Sequence, residues 1–586
     1  MTPTSNPVTR IWWVYAVVVF IMAVFGVRLF YLQVIRHDYY VQAAQSDQLK
    51  EYEITPTRGI IKAHDGSRVV PIVLNQKLYT LYADPTLVKD SGRVAETLAA
   101  SLGGTIGDYE NKLDTPDTRY VVLAKKLNQD QKEKILRHKY PGVGASEQFY
   151  RTHPNGVLAA QLLGFVNGEG KGAYGIEQAL NKELDGTPGR LKAITDINGV
   201  PLAANKDNTL VPAISGDDVL LTVDVAMQKQ LETILQQGLE AAKAESGSAL
   251  IMDPTSGAIL AMANLPTYNP DDYAAVEDSK VFNNAAVSDS LEVGSVMKPL
   301  TVAAALDLGV VKVDTSYFDP SVWEIDDYKI KNVEEDGGAG QHTIGDILSL
   351  SLNTGATWLL MQMSDKGGTE VNKQGRQRWY EYATNHYRLG QATGIEQGYE
   401  DEGYMPEPDK GYGLNLTYAN TVFGQGMRAT PLQMAAAFSA IVNGGTYYQP
   451  RLVDQLIAQN GKVTTKKPVV LRSGVVSDGV SRDIRGLLNN VIAKRQFKRR
   501  FDLNTYSVGG KTGTAEIAKP GGGYFDNQFN GMYVGFVGGD MPQYVITVRV
   551  NQPKIGGYAG TVAAQPIFAE VVHMLIDDFG VTPKGR

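Results

Sequence analysis

The longest unbroken apolar run in the chain, IWWVYAVVVFIMAVFGV, occupies Ile11 to Val27 without a charged side chain. It continues as RLFYLQVI, where Arg28 can snorkel toward an interface, so 11–35 is long enough for one tilted transmembrane helix behind a short tail at 1–10. The tryptophan pair at one end suits an interfacial belt. No small-x-small cleavage site follows, which argues against a removed signal peptide. Positive charge is nearly balanced around the run, with Arg10 before it and Arg28 and Arg36 after it, so counting lysine and arginine does not orient the span. No second run of this length follows, and nearly all the mass is expected on one side of a membrane.

Beyond the anchor, 36–215 alternates short apolar runs with turn signals. DGSRVV and NQKLYTLYADP read as two short strands, and Gly92 to Leu102 carries helical spacing, which together predict an α+β membrane-proximal domain. The polar, turn-rich segment 202–218 predicts a domain junction. From 216 to 586 a second pattern begins. VLLTVD predicts a strand, VAMQKQLETILQQGLEAAKAE an amphipathic helix, and GSALIMDPTSGAILAMAN a hairpin turning at Pro-Thr-Ser-Gly. A long helical middle follows. YSVGGKTGTAEIA, GMYVGFVGG and QYVITVRVNQP then predict three strands, and AAQPIFAEVVHMLIDDF a closing helix. Strands from both ends with helices between them predict a mixed α/β domain, an antiparallel sheet flanked by helices. KPGGGYF at 519–525 reads as a flexible turn between two strands.

Composition removes several chemistries. With no cysteine there is no thiol catalysis, disulfide framework or thiolate zinc site. The seven histidines are scattered without ligand spacing, so neither a metal nor another cofactor is expected. A formal charge of −7 gives no basic field for nucleic acid.

Three short motifs remain. In LEVGSVMKPLT, Ser295 and Lys298 stand three apart at the predicted start of a helix, where positions i and i+3 share a face. A serine hydroxyl needs a base, and lysine can serve where burial or a second positive charge disfavours its ammonium. Taken alone, the pair fits an activated nucleophile and a surface serine near a surface lysine equally well. Ser351-Leu-Asn353 is the only Ser-x-Asn in the chain, and Lys511-Thr512-Gly513 the only Lys-Thr-Gly. By themselves these fit a helix-to-loop turn and a turn into a strand. A Lys-Thr-Gly strand also offers a cation and a hydroxyl at its edge, with room for a ligand against the backbone.

In this order the three motifs resemble those of the serine acyltransferases that include penicillin-binding proteins and serine β-lactamases. LTVDVAMQ, MDPTSGAILAMAN, TGIEQGYEDEGYMP, FGQGMRATPLQMAAAFSAIVNGG and GGKTGTAE are similar to blocks of transpeptidase domains. RGIIKAHDG and YRTHPNG…LLGFVNGEGKGAYGIEQALNKELDGTPG resemble the membrane-proximal domain of class B, monofunctional penicillin-binding proteins. The compact membrane-proximal domain looks most like the septal, cell-division type.

The resemblance implies a peptidoglycan D,D-transpeptidase acting on stem peptides and acylated by β-lactams. Ser295 would be the nucleophile, Lys298 its proton acceptor, and Ser351 the relay to the leaving amine. Asn353 would bind the substrate amide, and Lys511 with Thr512, beside Gly513, the terminal carboxylate. The backbone N–H groups of Ser295 and Thr514 would form the oxyanion hole. A SEDS-type membrane glycosyltransferase and divisome proteins are the implied partners. The N-terminus would lie in the cytoplasm and the catalytic domain outside the bacterial cytoplasmic membrane. An elongation role is the alternative within the family. A β-lactamase, a β-lactam sensor and a non-catalytic scaffold fit less well with the anchor, the long membrane-proximal region and all three motifs. One departure stands out: Val293 occupies the position before Gly294 where the family commonly has proline.

Overall fold

The computed structural model describes residues 7–40, 49–194, 209–332, 338–364, 368–494, 496–519 and 523–585. Two compact units emerge, one from 1–57 with 186–216, the other from 58–185 with 217–586.

In the first unit the apolar run forms the helix Pro7–Phe30, continued by a π-helical turn at Tyr31–Ile35. The most apolar 18-residue window within Arg10–Ile35 has a mean hydropathy of 2.2, and none of it is buried against protein. An apolar helix with no protein partner is what a bilayer would solvate. The same unit holds a three-stranded sheet in the order Leu49–Ile54, Gly189–Ile194, Thr209–Val211. The expected junction therefore includes a strand; its residues 202–208 and the tail residues 1–6 lie outside the described residues.

In the second unit, DGSRVV and NQKLYTLYADP are not two strands. They merge into one long strand, Arg68–Ala83. Its first half pairs antiparallel with Ile61–Asp65 and its second half with Val143–Thr152 and Val121–Leu127. Pro71, opposite Lys62, sits next to a register shift, the place where a strand tolerates a missing N–H donor. The predicted VLLTVD strand, Asp218–Asp224, joins this sheet parallel to Ile61–Asp65 and antiparallel to Val453–Ile457. One sheet thus runs through both halves of the unit.

The site rests on a second sheet of five antiparallel strands, ordered Ile259–Leu265, Ser246–Met252, Pro542–Asn551, Tyr524–Gly538, Ser507–Ala518. Alternating side chains feed two cores. Ala249 and Ile251 pack with the helices Val225–Ala242 and Gln565–Asp578, whereas Leu250 and Met252 face a core that holds Lys298–Asp307 and Pro431–Val442. Every residue of Pro431–Val442 is buried, which marks it as a central helix. Its start is fixed by a capping box between Thr430 and Gln433. Among the described residues Ser507–Ala518 has a neighbouring strand on one side only, which leaves its other edge to face the site. Of the expected flexible turn at 519–525, Pro520 to Gly522 lie outside the described residues, while Tyr524 and Phe525 already belong to the next strand.

Candidate active site

The Ser295 motif forms a single 3-10 turn, Gly294–Met297, that runs directly into the helix Lys298–Asp307. Gly294 has φ +61°, and its N–H donates to the Gly424 carbonyl at 3.0 Å. A side chain there would also collide with the Thr514 carbonyl, since a Cβ would lie 2.6 Å away. Gly513 is required for the same contact from the other side: its Cβ would come within 2.5 Å of the Val293 carbonyl. The two glycines let the backbone of the edge strand lie directly on the Ser295 turn. Ser295 keeps partial exposure, while Val293 and Lys298 are buried.

Lys298 has no exposed surface. Its Nζ donates to Oδ1 of Asn353 at 2.8 Å, to Oγ of Ser351 at 3.1 Å, and to the Ser351 carbonyl. Both Ser351 oxygens reach the same amine while its backbone is left-handed, at φ +61°, a conformation unusual for a non-glycine residue and concentrated at functional sites. The segment connects two helices, Ile344–Ser349 and Asn353–Gln362. Asn353 is the first residue of the second helix, and its Nδ2 donates to the Lys331 carbonyl at 3.2 Å.

A buried bracket holds that helix start. The Asn332 side chain accepts from Thr354 N–H at 3.0 Å, Asp319 accepts from Thr354 Oγ1 at 2.6 Å, and Trp323 donates its indole N–H to the Thr354 carbonyl at 3.1 Å. Asp319, wholly buried, also accepts from the Tyr317 hydroxyl at 3.1 Å and from Ser321 N–H at 2.7 Å.

Lys511 lies on the edge strand and is 3% exposed. Its Nζ donates to the Thr512 carbonyl at 3.1 Å and to Thr512 Oγ1 at 3.3 Å. Lys511 and Thr512 line a cavity of about 30 Å³ together with Ser349, two residues before Ser351. Thr514 is fixed through its side chain, whose Oγ1 accepts from Gly560 N–H at 3.0 Å. The fold thus gathers three motifs that are distant in sequence. A Ser-x-x-Lys turn abuts Gly513 and Thr514, and its lysine is hydrogen bonded to the Ser-x-Asn segment. Among the described residues no cluster of His, Asp and Glu suited to a metal ion is found.

Residues 247–573 match the penicillin binding protein transpeptidase domain, and 53–221 match the penicillin-binding protein dimerisation domain. The chain belongs to the class B penicillin-binding proteins. It is 30% identical, over 97% of its length and 85% of the relative's, to the stage V sporulation protein D of Bacillus subtilis. Identity is 26% to the peptidoglycan D,D-transpeptidase FtsI of Escherichia coli, over 95% of this chain and 89% of that one. The fold is similar to that of penicillin-binding protein 3 of Mycobacterium tuberculosis in complex with aztreonam, with a TM-score of 0.68 and 24% identity over 91% of this chain and 98% of that one.

Other residues around this site belong to none of the three Ser-x-x-Lys, Ser-x-Asn and Lys-Thr-Gly signatures. Glu292 is half-buried three residues before Ser295 and accepts Gly426 N–H at 3.0 Å and the Tyr524 hydroxyl at 3.1 Å. Its carboxyl is pushed above the usual range by burial, against the pull of the Gly426 and Tyr524 bonds. Asp319 and Asn332 bracket Ser-x-Asn from a stretch of the expected helical middle that instead forms the short strands Ser316–Asp319, Val322–Ile325 and Tyr328–Lys331. Glu292 stood inside the quoted motif, and an acidic residue so close to a nucleophile was the one available signal.

Proposed function

We propose that this chain is a membrane-anchored serine D,D-transpeptidase that cross-links peptidoglycan stem peptides, with Ser295 as its nucleophile. The observation that carries the reading is the wholly buried Lys298 amine, one turn from Ser295 and within hydrogen-bond reach of Ser351 and Asn353. A lysine acts as a base only where its surroundings work against the charged form, and complete burial does so.

In this reading Ser295 Oγ attacks the carbonyl carbon of the D-Ala-D-Ala bond and its proton passes to Lys298 Nζ. The oxyanion would be held by the backbone N–H groups of Ser295 and Thr514, a reading supported by the close approach of the Gly294 backbone to Thr514. As the C–N bond breaks, the departing D-Ala amine takes a proton by way of Ser351 Oγ, which lies 3.1 Å from Lys298 Nζ. An amine of a neighbouring stem peptide then attacks the acyl-enzyme ester, restoring the Ser295 hydroxyl and forming the cross-link. Lys511 and Thr512 offer a cation and a hydroxyl to the terminal carboxylate. Asn353 would hold the substrate amide, exchanging its bond to the Lys331 carbonyl for one to substrate. The solved complex of a similar fold with aztreonam supports β-lactams as acylating inhibitors.

The substrate lies outside the cytoplasmic membrane, so the helix at 11–35 would place 1–10 in the cytoplasm and the catalytic unit outside. The name of the Escherichia coli relative supports septal synthesis; SEDS-type glycosyltransferase and divisome partners, reached through the anchor, belong to the same proposal. The Bacillus subtilis relative bears a sporulation name, which makes the stage of growth the point to test. A tagged copy at midcell supports the septal role; a side-wall pattern supports elongation.

The enzymatic reading is tested with a fluorescent penicillin. Labelling that persists for hours and is lost in Ser295→Ala is expected. Absence of labelling, or labelling retained in Ser295→Ala, overturns it, and rapid loss of label indicates a β-lactamase.

A further inference from the structure

The nucleophile turn is fastened from a side that takes no part in the chemistry above. Glu292 lies just before it, and its Oε1 accepts the N–H of Gly426, in the loop whose Gly424 carbonyl receives the Gly294 N–H. Both of its oxygens lie 3.1 Å from the Tyr524 hydroxyl, which donates to the carboxylate. Tyr524 is the first residue of the strand Tyr524–Gly538, paired along its length with Ser507–Ala518, the strand that carries Lys511 to Thr514. The hairpin that presents Lys-Thr-Gly is therefore held at its middle by the Gly513 contact and at its tip by Tyr524. Among the described residues Glu292 makes no ion pair; Glu516, further along the same edge strand, repels its charge and Arg428 attracts it. A carboxylate kept half-buried beside a like charge, yet bonded to two neutral donors, is arranged to hold segments together.

We propose that Glu292 is a positioning residue, clamping the tip of the Ser507–Gly538 hairpin and the Gly424–Gly426 loop onto the Ser295 turn so that the Thr514 backbone stays aligned with the nucleophile. This rests on Ser295 being the nucleophile. The clamp depends on acceptor atoms rather than charge. Oε1 by itself lies within hydrogen-bond distance of both Gly426 N–H and Tyr524 O–H, so a glutamine carbonyl in that place can accept both bonds, whereas alanine removes them.

The test uses the full chain in detergent micelles, with acylation by a fluorescent penicillin followed over time and amide exchange measured over 424–426 and 524–530. Glu292→Ala is expected to slow acylation roughly 10- to 100-fold, the scale of a small misplacement of reacting groups. Glu292→Gln should stay within about threefold of the parent, as expected when the hydrogen-bond acceptor is retained. Tyr524→Phe, which keeps the ring and loses only the donor, should be slowed and should exchange faster at the hairpin tip. Parent-like acylation by Glu292→Ala, or equal slowing by Glu292→Gln and Glu292→Ala, overturns the proposal, the latter because it would assign the effect to charge. Should Glu292→Ala not fold, Tyr524→Phe decides: a folded variant with parent-like acylation and exchange overturns the clamp. A parent protein that takes no label at all refutes the nucleophile assignment instead, and the exchange measurement still reports on the clamp.

Discussion

The amine of Lys298 lies 2.8 Å from Oδ1 of Asn353, joining two motifs whose residues stand 55 positions apart in the chain. In the proposed mechanism this buried amine, placed between a side-chain amide and the Ser351 hydroxyl, accepts a proton and passes it on. Lys298→Met fills the same space without the amine. It is expected to fold, and to lower the acylation rate by roughly 10²- to 10⁴-fold, the usual contribution of a general base. Stopped-flow labelling with a fluorescent penicillin measures this, and a loss below about tenfold would remove Lys298 from the role of base.

Gly513 supplies a second, purely steric test. A Cβ at this position meets the Val293 carbonyl at 2.5 Å, and the Val296 Cγ1 and N–H lie just beyond. Gly513→Ala must push the edge strand away from the turn at a cost of about 1–3 kcal/mol, as overpacked sites do. The expected outcome is a folded protein with a modestly lowered melting temperature and acylation reduced far more than stability. Unchanged acylation would mean that the strand and turn need not touch for catalysis.

What the sequence disclosed about this site was local. Ser295 and Lys298, Ser351 and Asn353, and Lys511 to Gly513 are each fixed by spacing within one helical turn or strand edge, so their residue types could be read in order. The closing strands and helices were legible for the same reason, since each carries its own periodicity. Glu292 and Tyr524 are 232 positions apart, and no pattern in either segment signals that they meet. Asp319 and Asn332 are similarly silent until folding brings them against Thr354. Pro71 and the polar Asn75-Gln76 interrupt the pattern of the strand Arg68–Ala83, so the sequence suggests two strands, although the backbone continues by changing partners midway.

Glu177 gives a pH dependence. It is wholly buried, with Arg58 Nη2 at 2.6 Å and Arg151 Nε at 2.7 Å. Burial alone would raise its pKa, but the two guanidiniums outweigh it and hold the carboxyl below its usual range. A lowered folded-state value means that the stabilisation is present above the unfolded pKa of about 4.3 and is lost as pH falls through the folded value. The melting temperature of the parent should therefore exceed that of Glu177→Gln at neutral pH, with the gap closing in acid below about pH 4. A gap that is constant with pH would show that the carboxylate charge does not stabilise the fold. Either substitution takes the Glu177 counter-charge from two buried guanidiniums, a loss of about 3–5 kcal/mol at neutral pH, and Glu177→Ala should be the worse of the two because it removes the hydrogen-bond acceptor as well.

The apolar helix can be separated from the rest at a definite point. Its most apolar window has no buried surface, so no protein core depends on it. Leu49–Ile54, however, pairs residue for residue with Gly189–Ile194, which in turn pairs with Thr209–Val211. A chain beginning at residue 41 keeps this sheet, whereas one beginning at residue 58 strips the partner from Gly189–Ile194 and leaves its backbone N–H and C=O groups as an open edge. The first is expected to be soluble without detergent and to take up fluorescent penicillin at the rate of the full chain, because the Ser295 turn, Lys298 and the edge strand all lie in the other compact unit. The second should label at a similar rate but associate or aggregate through the exposed strand, as seen by light scattering. Loss of labelling in the chain beginning at residue 41 would show that the anchor contributes to the site itself.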